Sequence, residues 1–283
     1  MPSNEELTTH KVATIISLVL SIWGNAKYAV SKSPFDPDSG FSPGDTPFSG
    51  SSIVTFVFWI ILYILQITYV FQIFLPDIDS GRLNTTVLVG WHFFIFNAGT
   101  YLWSVLFGSG HYFWSEVVVL INFFNILVLY FNHRTYSIKP LGNWLLIHLP
   151  TSAFPFSWLF YAIFWNGAVL FKSTGLAARI IANVIVWDFL LVPGFLVLVF
   201  GDWGIGISSS IITFGLGLGQ IFTKVIALQW IFSFVISGIL LLLSVFAAVT
   251  GTTYVRTEVI TVVETNESAP LITNSNTNND SAV

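Results

Sequence analysis

The sequence predicts an all-α, polytopic membrane protein whose transmembrane helices form one bundle. Hydrophobic residues make up 54% of the chain, charged residues make up only 8%, and the mean hydropathy is +0.79. A soluble domain carries about 25% charged residues, so this chain has too few charges to cover a surface in water. About eight of its apolar stretches approach the roughly 20 residues needed to cross a bilayer. We therefore expect the lipid bilayer to surround this chain.

The eight predicted spans lie between a polar N-terminus, residues 1–10, and a polar tail, residues 251–283, that we expect to be disordered. Only seven spans remain if the first is a cleaved signal sequence, or if the weak seventh does not cross the membrane. Basic residues are divided evenly between the two sides, so they do not fix the orientation. The predicted spans cover residues 12–30, 52–74, 88–108, 112–131, 144–171, 176–200, 205–222 and 225–249 of the transmembrane region 11–250.

Proline and glycine predict where these spans depart from straight helices. Pro150 and Pro155 should kink the fifth span, and Pro193 with Gly194 should bend the sixth. In the seventh span, Gly215 and Gly219 form the GxxxG pattern of closely packed membrane helices, which serves either a homo-oligomer or packing within the chain.

The loop over residues 31–50 contains four prolines and three glycines, so it should lack regular structure. Phe35, Phe41 and Phe48 are spaced along it between the prolines. Such a loop is either an ordinary solvated connection or a lid that folds down onto the bundle.

Composition and motifs also exclude several functions. The net charge is −4 and the basic residues are scattered, which argues against nucleic-acid binding. The absence of cysteine excludes disulfides, thiolate catalysis and cysteine-ligated metals. No P-loop or GxSxG motif occurs, and no two histidines stand three or four residues apart. The sequence therefore predicts neither an enzyme nor a metal site, and no cofactor.

Polar residues inside the predicted spans are the best candidates for function. Asp188 lies near the middle of the sixth span, where a carboxylate costs a few kcal/mol or more, so it is either a proton, ion or ligand site or a hydrogen-bonded structural carboxyl. Asparagines in the third to sixth spans either join helices or line one pocket with aromatic walls. These residues are Asn97, Asn122, Asn125, Asn166 and Asn183, with Trp59, Trp103, Trp158 and Trp165 as the walls.

Residues 10–171 resemble the tryptophan-rich sensory protein family, the TspO and translocator-protein group. The stretch from Trp59 to Tyr63 resembles the WxxLY pattern of its second span, and Asn97 with Trp103 resembles the pattern of its third. Trp158 and Asn166 resemble the Trp and Asn of its fifth span. The sequence departs at Thr100, where the family usually has tryptophan.

The resemblance implies a five-helix core over residues 11–171, followed by a three-helix extension over 172–250. It also implies non-enzymatic binding or sensing of a hydrophobic or flat small molecule, such as a tetrapyrrole or a sterol. The candidate ligand-binding residues are then Asn97, Trp103, Trp158 and Asn166, together with Trp59.

Two other functions remain open from the sequence. A secondary transporter would use Asp188 as its intramembrane acid, with the bent fifth and sixth spans as moving parts. A lipid-modifying enzyme would have only Glu116, His111 and His133 as starting points.

The polar tail carries two short patterns that imply opposite locations. Glu267, Leu271 and Ile272 fit an acidic-dileucine sorting signal, which would direct a cytosolic tail to endosomes, the vacuole or lysosomes. Asn266 and Asn279 begin glycosylation sequons, which would require a luminal tail.

Overall fold

The predicted all-α class is confirmed by a computed structural model, which describes residues 4–30, 41–75, 80–221 and 228–251. These residues contain ten α-helices and no β-strand. The helices are α1 (Asn4–Val30), α2 (Ser52–Gln72), α3 (Ser80–Gly108), α4 (Tyr112–Asn132), α5 (Leu141–His148), α6 (Phe154–Leu170), α7 (Leu176–Ile185), α8 (Asp188–Phe200), α9 (Trp203–Gln220) and α10 (Leu228–Thr250).

Among the described residues, six helical stretches are long and apolar enough to cross a membrane, which supports the prediction of a membrane-embedded protein. They are Glu5–Tyr28, Ser52–Gln72, Tyr112–Asn132, Leu141–Leu170, Leu176–Phe200 and Leu228–Thr250.

The other two predicted spans correspond to α3 and α9, which are long enough but less apolar. At 18 residues, α9 is about 27 Å long, close to the thickness of the hydrocarbon core. It lies against α2, α6, α8 and α10, and most of its side chains are buried. Because its neighbours are helices rather than lipid, α9 can be rich in glycine and serine and still lie inside the bundle.

The predicted kink in the fifth span takes the form of a π-helical segment, Leu149–Ala153, between α5 and α6. Pro150 lies in this segment, and Pro155 lies in the first turn of α6, where a missing backbone N–H is tolerated. This span is the most enclosed of the six, with 72% of its most apolar window buried.

The sixth span is divided into two helices ahead of Pro193. Its two helices, α7 and α8, are separated at Val186 and Trp187, where Trp187 N–H and Phe189 N–H bond to carbonyls only three residues back. Pro193 lies inside α8, more than a turn after the break. The break places Asp188 in the first turn of α8.

The connections between helices gather at two ends of the bundle. At one end, residues 41–51, which we call the plug, pack against α6, α7 and α9. At the other end, which we call the histidine end, the α4–α5 and α8–α9 connections meet the end of α5.

Candidate functional site

The three predicted tryptophans Trp59, Trp103 and Trp158 come together from α2, α3 and α6. The ring centroids of Trp59 and Trp158 are 4.9 Å apart, and those of Trp103 and Trp158 are 5.9 Å apart. Each of the three side chains is less than 9% exposed. Trp165 adjoins them, with its ring centroid 6.2 Å from that of Trp103.

Asn166 joins this aromatic cluster to the start of α4. Its Oδ1 accepts hydrogen bonds from Trp103 Nε1 (3.2 Å) and from Ser115 Oγ (2.7 Å). Its Nδ2 donates to Glu116 Oε2 (2.7 Å) and to the Tyr112 carbonyl (3.2 Å). Both ends of the amide are therefore already paired, and Asn166 orients Trp103 rather than presenting a free polar group.

Asn97 is fully buried, and its amide bonds within its own helix. Its Nδ2 donates to the Phe93 carbonyl of its own helix at 3.1 Å, and its Oδ1 has no hydrogen-bond partner among the described residues. Tyr101 and Ser104, which follow Asn97 at helical spacing along α3, pack against Gly24 of α1.

Two small cavities lie beside Trp158, each with a volume of about 10 Å³. A volume of this size holds about one water molecule. Trp158 lines both cavities, so its indole forms part of the wall between them. Gly99, Thr100, Trp103, Val118, Val119, Asn122, Trp158 and Leu159 line the first cavity; Gly50, Val54, Thr55, Phe58, Trp158, Tyr161, Ile212 and Gly215 line the second.

Two of the residues that line the first cavity carry polar atoms without a partner. Thr100 Oγ1 and Asn122 Oδ1 are buried and make no hydrogen bond within the described part of the chain. Asn122 Nδ2 is anchored on the Phe96 carbonyl at 3.0 Å, which leaves the amide oxygen unpaired. An unmet buried polar group costs about 1–3 kcal/mol, so both atoms favour a bound water or a ligand polar group.

The plug lies over the second cavity, which Gly50 helps to line. Residues 41–50 of the predicted loop therefore fold onto the bundle, as a lid would. Residues 31–40, which include Phe35, lie outside the described residues. Tyr161 Oη donates to the Phe48 carbonyl (2.9 Å) and accepts from Gly50 N–H (3.1 Å). Gln220 Nε2 donates to the Ser49 carbonyl at 2.7 Å. The Phe48 ring packs on two aromatic rings, those of Phe164 and Phe189.

The two glycines of α9 contact this same segment. Ser51 N–H donates to the Gly215 carbonyl at 2.8 Å. A Cβ atom on Gly219 would lie 2.6 Å from the carbonyl carbon of Gly50, so only glycine allows this approach. The GxxxG pattern is therefore used for internal packing against the plug.

Asp188 is half-buried, and its carboxylate makes no hydrogen bond or ion pair with any described residue. Arg179, on the preceding helix, instead donates from its guanidinium to the Asp45 carbonyl of the plug at 2.9 Å. The residues considered for an enzyme are not brought together, because His111 and Glu116 lie at the start of α4 and His133 follows its end.

The histidine end holds a buried network that sequence reasoning missed. His148 Nε2 lies 3.0 and 2.9 Å from the two carboxylate oxygens of Asp202, and neither residue is more than 1% exposed. His148 Nδ1 is 3.0 Å from Thr135 Oγ1, which is 2.8 Å from Ser152 Oγ. Asp202 also caps α9 by accepting from Ile205 N–H at 3.2 Å. No local spacing could have paired His148 with a residue 54 positions away.

Two comparisons with known proteins found a match, and the family match lies outside residues 10–171, which carry the TspO resemblance. The model of a family described as "Fungal protein of unknown function (DUF1774)" matches residues 179–272. An uncharacterized protein of Schizosaccharomyces pombe is 35% identical over 121 residues, which are 42% of this chain and 42% of that protein. The chain thus matches less than half the length of this relative. No solved structure matches the chain.

Proposed function

We propose that this helical membrane protein binds a small hydrophobic or flat molecule with a polar group, without converting it chemically, in the space around Trp158. The observation that carries this proposal is the pair of unpaired polar atoms, Thr100 Oγ1 and Asn122 Oδ1, in the cavity beside Trp103 and Trp158. Aromatic walls with a few convergent polar groups are typical of sites for drug-sized molecules.

The conformation described here is closed. A drug-sized ligand needs a pocket of about 300–1,000 Å³, far more than the two cavities of about 10 Å³. Trp158 contributes to the walls of both cavities, so a change of its rotamer would join them. Displacement of Gly50 with the plug would then open the joined space to the end of the bundle. Binding therefore requires movement of the indole and of the plug.

A tetrapyrrole or a sterol is the ligand class that the TspO resemblance suggests. The gathering of Trp59, Trp103, Trp158 and Asn166 supports this proposal, because these are the positions that carry the resemblance. The polar group of the ligand would meet Thr100 and Asn122 rather than Asn166, whose amide is already paired.

The test uses Thr100→Val and Asn122→Leu in the full chain, purified in detergent and titrated with protoporphyrin IX and with dehydroergosterol by tryptophan fluorescence. Thr100→Val removes an unpaired buried polar atom, so we expect unchanged or raised thermal stability. Asn122→Leu also loses the bond from Nδ2 to the Phe96 carbonyl, so we expect it to cost about 1 kcal/mol of stability. Each lost hydrogen bond to the ligand should weaken binding by about tenfold, or about 1.4 kcal/mol. Thr68→Val, on the exposed side of α2, is the matched control. Equal affinities in the variants and the wild type would refute this site.

One observation favours a second function, secondary transport. The sixth span is discontinuous, and its break places the unpaired Asp188 carboxylate at the first turn of a half-helix, as in the binding sites of many transporters. In proteoliposomes loaded with a pH-sensitive dye, Asp188→Asn should abolish proton movement driven by a pH gradient. Equal proton flux with Asn at this position would exclude Asp188 as the coupling group.

The tail motif of Glu267, Leu271 and Ile272 lies outside the described residues, and an endosomal, vacuolar or lysosomal location stays a proposal. A mobility shift on glycosidase treatment that disappears in Asn266→Gln with Asn279→Gln would place the tail in the lumen and rule out the sorting signal.

A further inference from the structure

We propose that His92 of α3 and His133, directly after α4, form a binding site for a divalent transition-metal ion such as Zn²⁺ or Ni²⁺. The two imidazole ring centroids are 5.3 Å apart and the ring planes are inclined by 67°. Both side chains are half-buried at the histidine end, where the span Tyr112–Asn132 ends.

The hydrogen bonds of Asn125 determine which nitrogen of His92 is free. Asn125 Nδ2 donates to the His92 backbone carbonyl at 3.0 Å, which can only accept, so the amide group must face it. Asn125 Oδ1 then faces His92 Nδ1 at 2.8 Å, and this nitrogen must carry the proton. The lone pair of His92 is therefore on Nε2, which has no partner among the described residues.

This arrangement is the one found at metal-binding histidines. A ligating imidazole usually donates its other N–H to a carbonyl or a carboxylate, which fixes the ring orientation and raises its basicity. Asn125, on the facing helix α4, provides the carbonyl oxygen that accepts the Nδ1–H of His92. Both hydrogen bonds of the Asn125 amide to described residues are made to His92.

The second ring is also suited to a cation. His133 makes no side-chain hydrogen bond with a described residue, so its nitrogens are available. Its ring is half-buried beside that of His92 at the end of α4. Imidazole nitrogen suits Zn²⁺, Ni²⁺ and Cu²⁺ better than Ca²⁺ or Mg²⁺.

The site provides two protein ligands. Within the described residues, no third His, Cys, Asp or Glu completes a metal-binding group. Water would occupy the remaining positions of a tetrahedral ion, as in open sites that exchange a ligand. The ion would link α3 to the end of α4.

The experiment is calorimetric titration of the full chain with ZnCl₂ and NiCl₂, after purification through a tag without histidine. We expect one ion per chain at pH 7.5, a loss of binding in both His92→Ala and His133→Ala, and about a 10–100-fold weaker site in Asn125→Ala. Asn125→Asp, which keeps the acceptor, should restore the affinity.

The matched control is His111→Ala, an exposed histidine at the other end of α4, which should bind like the wild type. A wild-type chain that takes up no ion, or one whose binding survives either single histidine variant, would overturn the proposal. Thermal melting of each variant separates loss of a ligand from loss of the fold.

Discussion

Replacing His148 with leucine should destabilise the protein more than any other single change at the histidine end. The substitution leaves the Asp202 carboxylate, which is 1% exposed, without the imidazole that lies 2.9 Å from it. Breaking a buried ion or hydrogen-bonded pair from one side costs about 3–5 kcal/mol, because the remaining charge is neither hydrated nor paired. At about 2 °C per kcal/mol, the melting temperature should fall by roughly 6–10 °C.

A second substitution should repair most of this loss. Asp202→Asn removes the charge, yet asparagine caps a helix as well as aspartate does, so the bond to Ile205 N–H can persist. Alone, Asp202→Asn exchanges a charged acceptor for a neutral one and should cost about 1 kcal/mol. Combined with His148→Leu, it removes the stranded carboxylate, so the double variant should be more stable than His148→Leu alone.

Thermal unfolding in detergent, followed by tryptophan fluorescence, measures these differences, with His111→Leu as the control for replacing an exposed histidine. The reasoning fails if the double variant is as unstable as His148→Leu or less stable, because Asp202 would then not be the group left without a partner. It also fails if His148→Leu melts within 2 °C of the control, since about 1 kcal/mol is too little for a buried pair.

Two further changes test the plug and the aromatic cluster. Gly219→Ala should force the plug away from α9. Because the chain has no cysteine, a Phe48→Cys substitution provides one labelling site on the plug, and it should react faster with a maleimide when Gly219→Ala is also present. The control is Gly238→Ala, whose Cβ would meet nothing within 4 Å and which should leave the labelling slow. Asn166→Leu should lower the melting temperature by roughly 2–6 °C, because Trp103 Nε1 loses its acceptor at about 1–3 kcal/mol; a melting temperature equal to that of the wild type would contradict this role.

Hydropathy and proline positions predicted most of the fold, because both act locally along the chain. The fifth span is distorted at Pro150, as the missing N–H requires. The sequence predicted a bend at Pro193 and Gly194 but not the separation of the two helices at Val186 and Trp187, more than a turn earlier. Proline disturbs the turn that precedes it, and no proline lies within one turn after Val186 and Trp187, so proline positions give no signal there.

The candidate site was only partly predictable, for a different reason. Aromatic patterns indicated that Trp59, Trp103 and Trp158 belong to one site, because large aromatic side chains in a charge-poor bundle must be buried together. Sequence alone gave no means of telling which buried polar atoms would be paired. The Asn166 amide bonds to four neighbours, whereas the Asn122 amide oxygen has no partner among the described residues, and only the distances distinguish them.

Thr100 is both the position at which this chain departs from the resembled family and a residue that lines the first cavity. Where that family usually has tryptophan, this chain places a threonine next to Gly99, and a Cβ on Gly99 would lie 2.8 Å from Asn122 Nδ2. A tryptophan at position 100 would fill the first cavity, whereas the two small residues leave it open and bring two polar atoms to its wall. A ligand with the shape of those bound by the resembled family should therefore carry a polar substituent where it meets Thr100 and Asn122. If this substituent is a carboxylate that accepts a hydrogen bond from Thr100, the wild type should bind protoporphyrin IX more tightly than its dimethyl ester. Thr100→Val should then reduce this difference in affinity, and an unchanged difference would refute the contact.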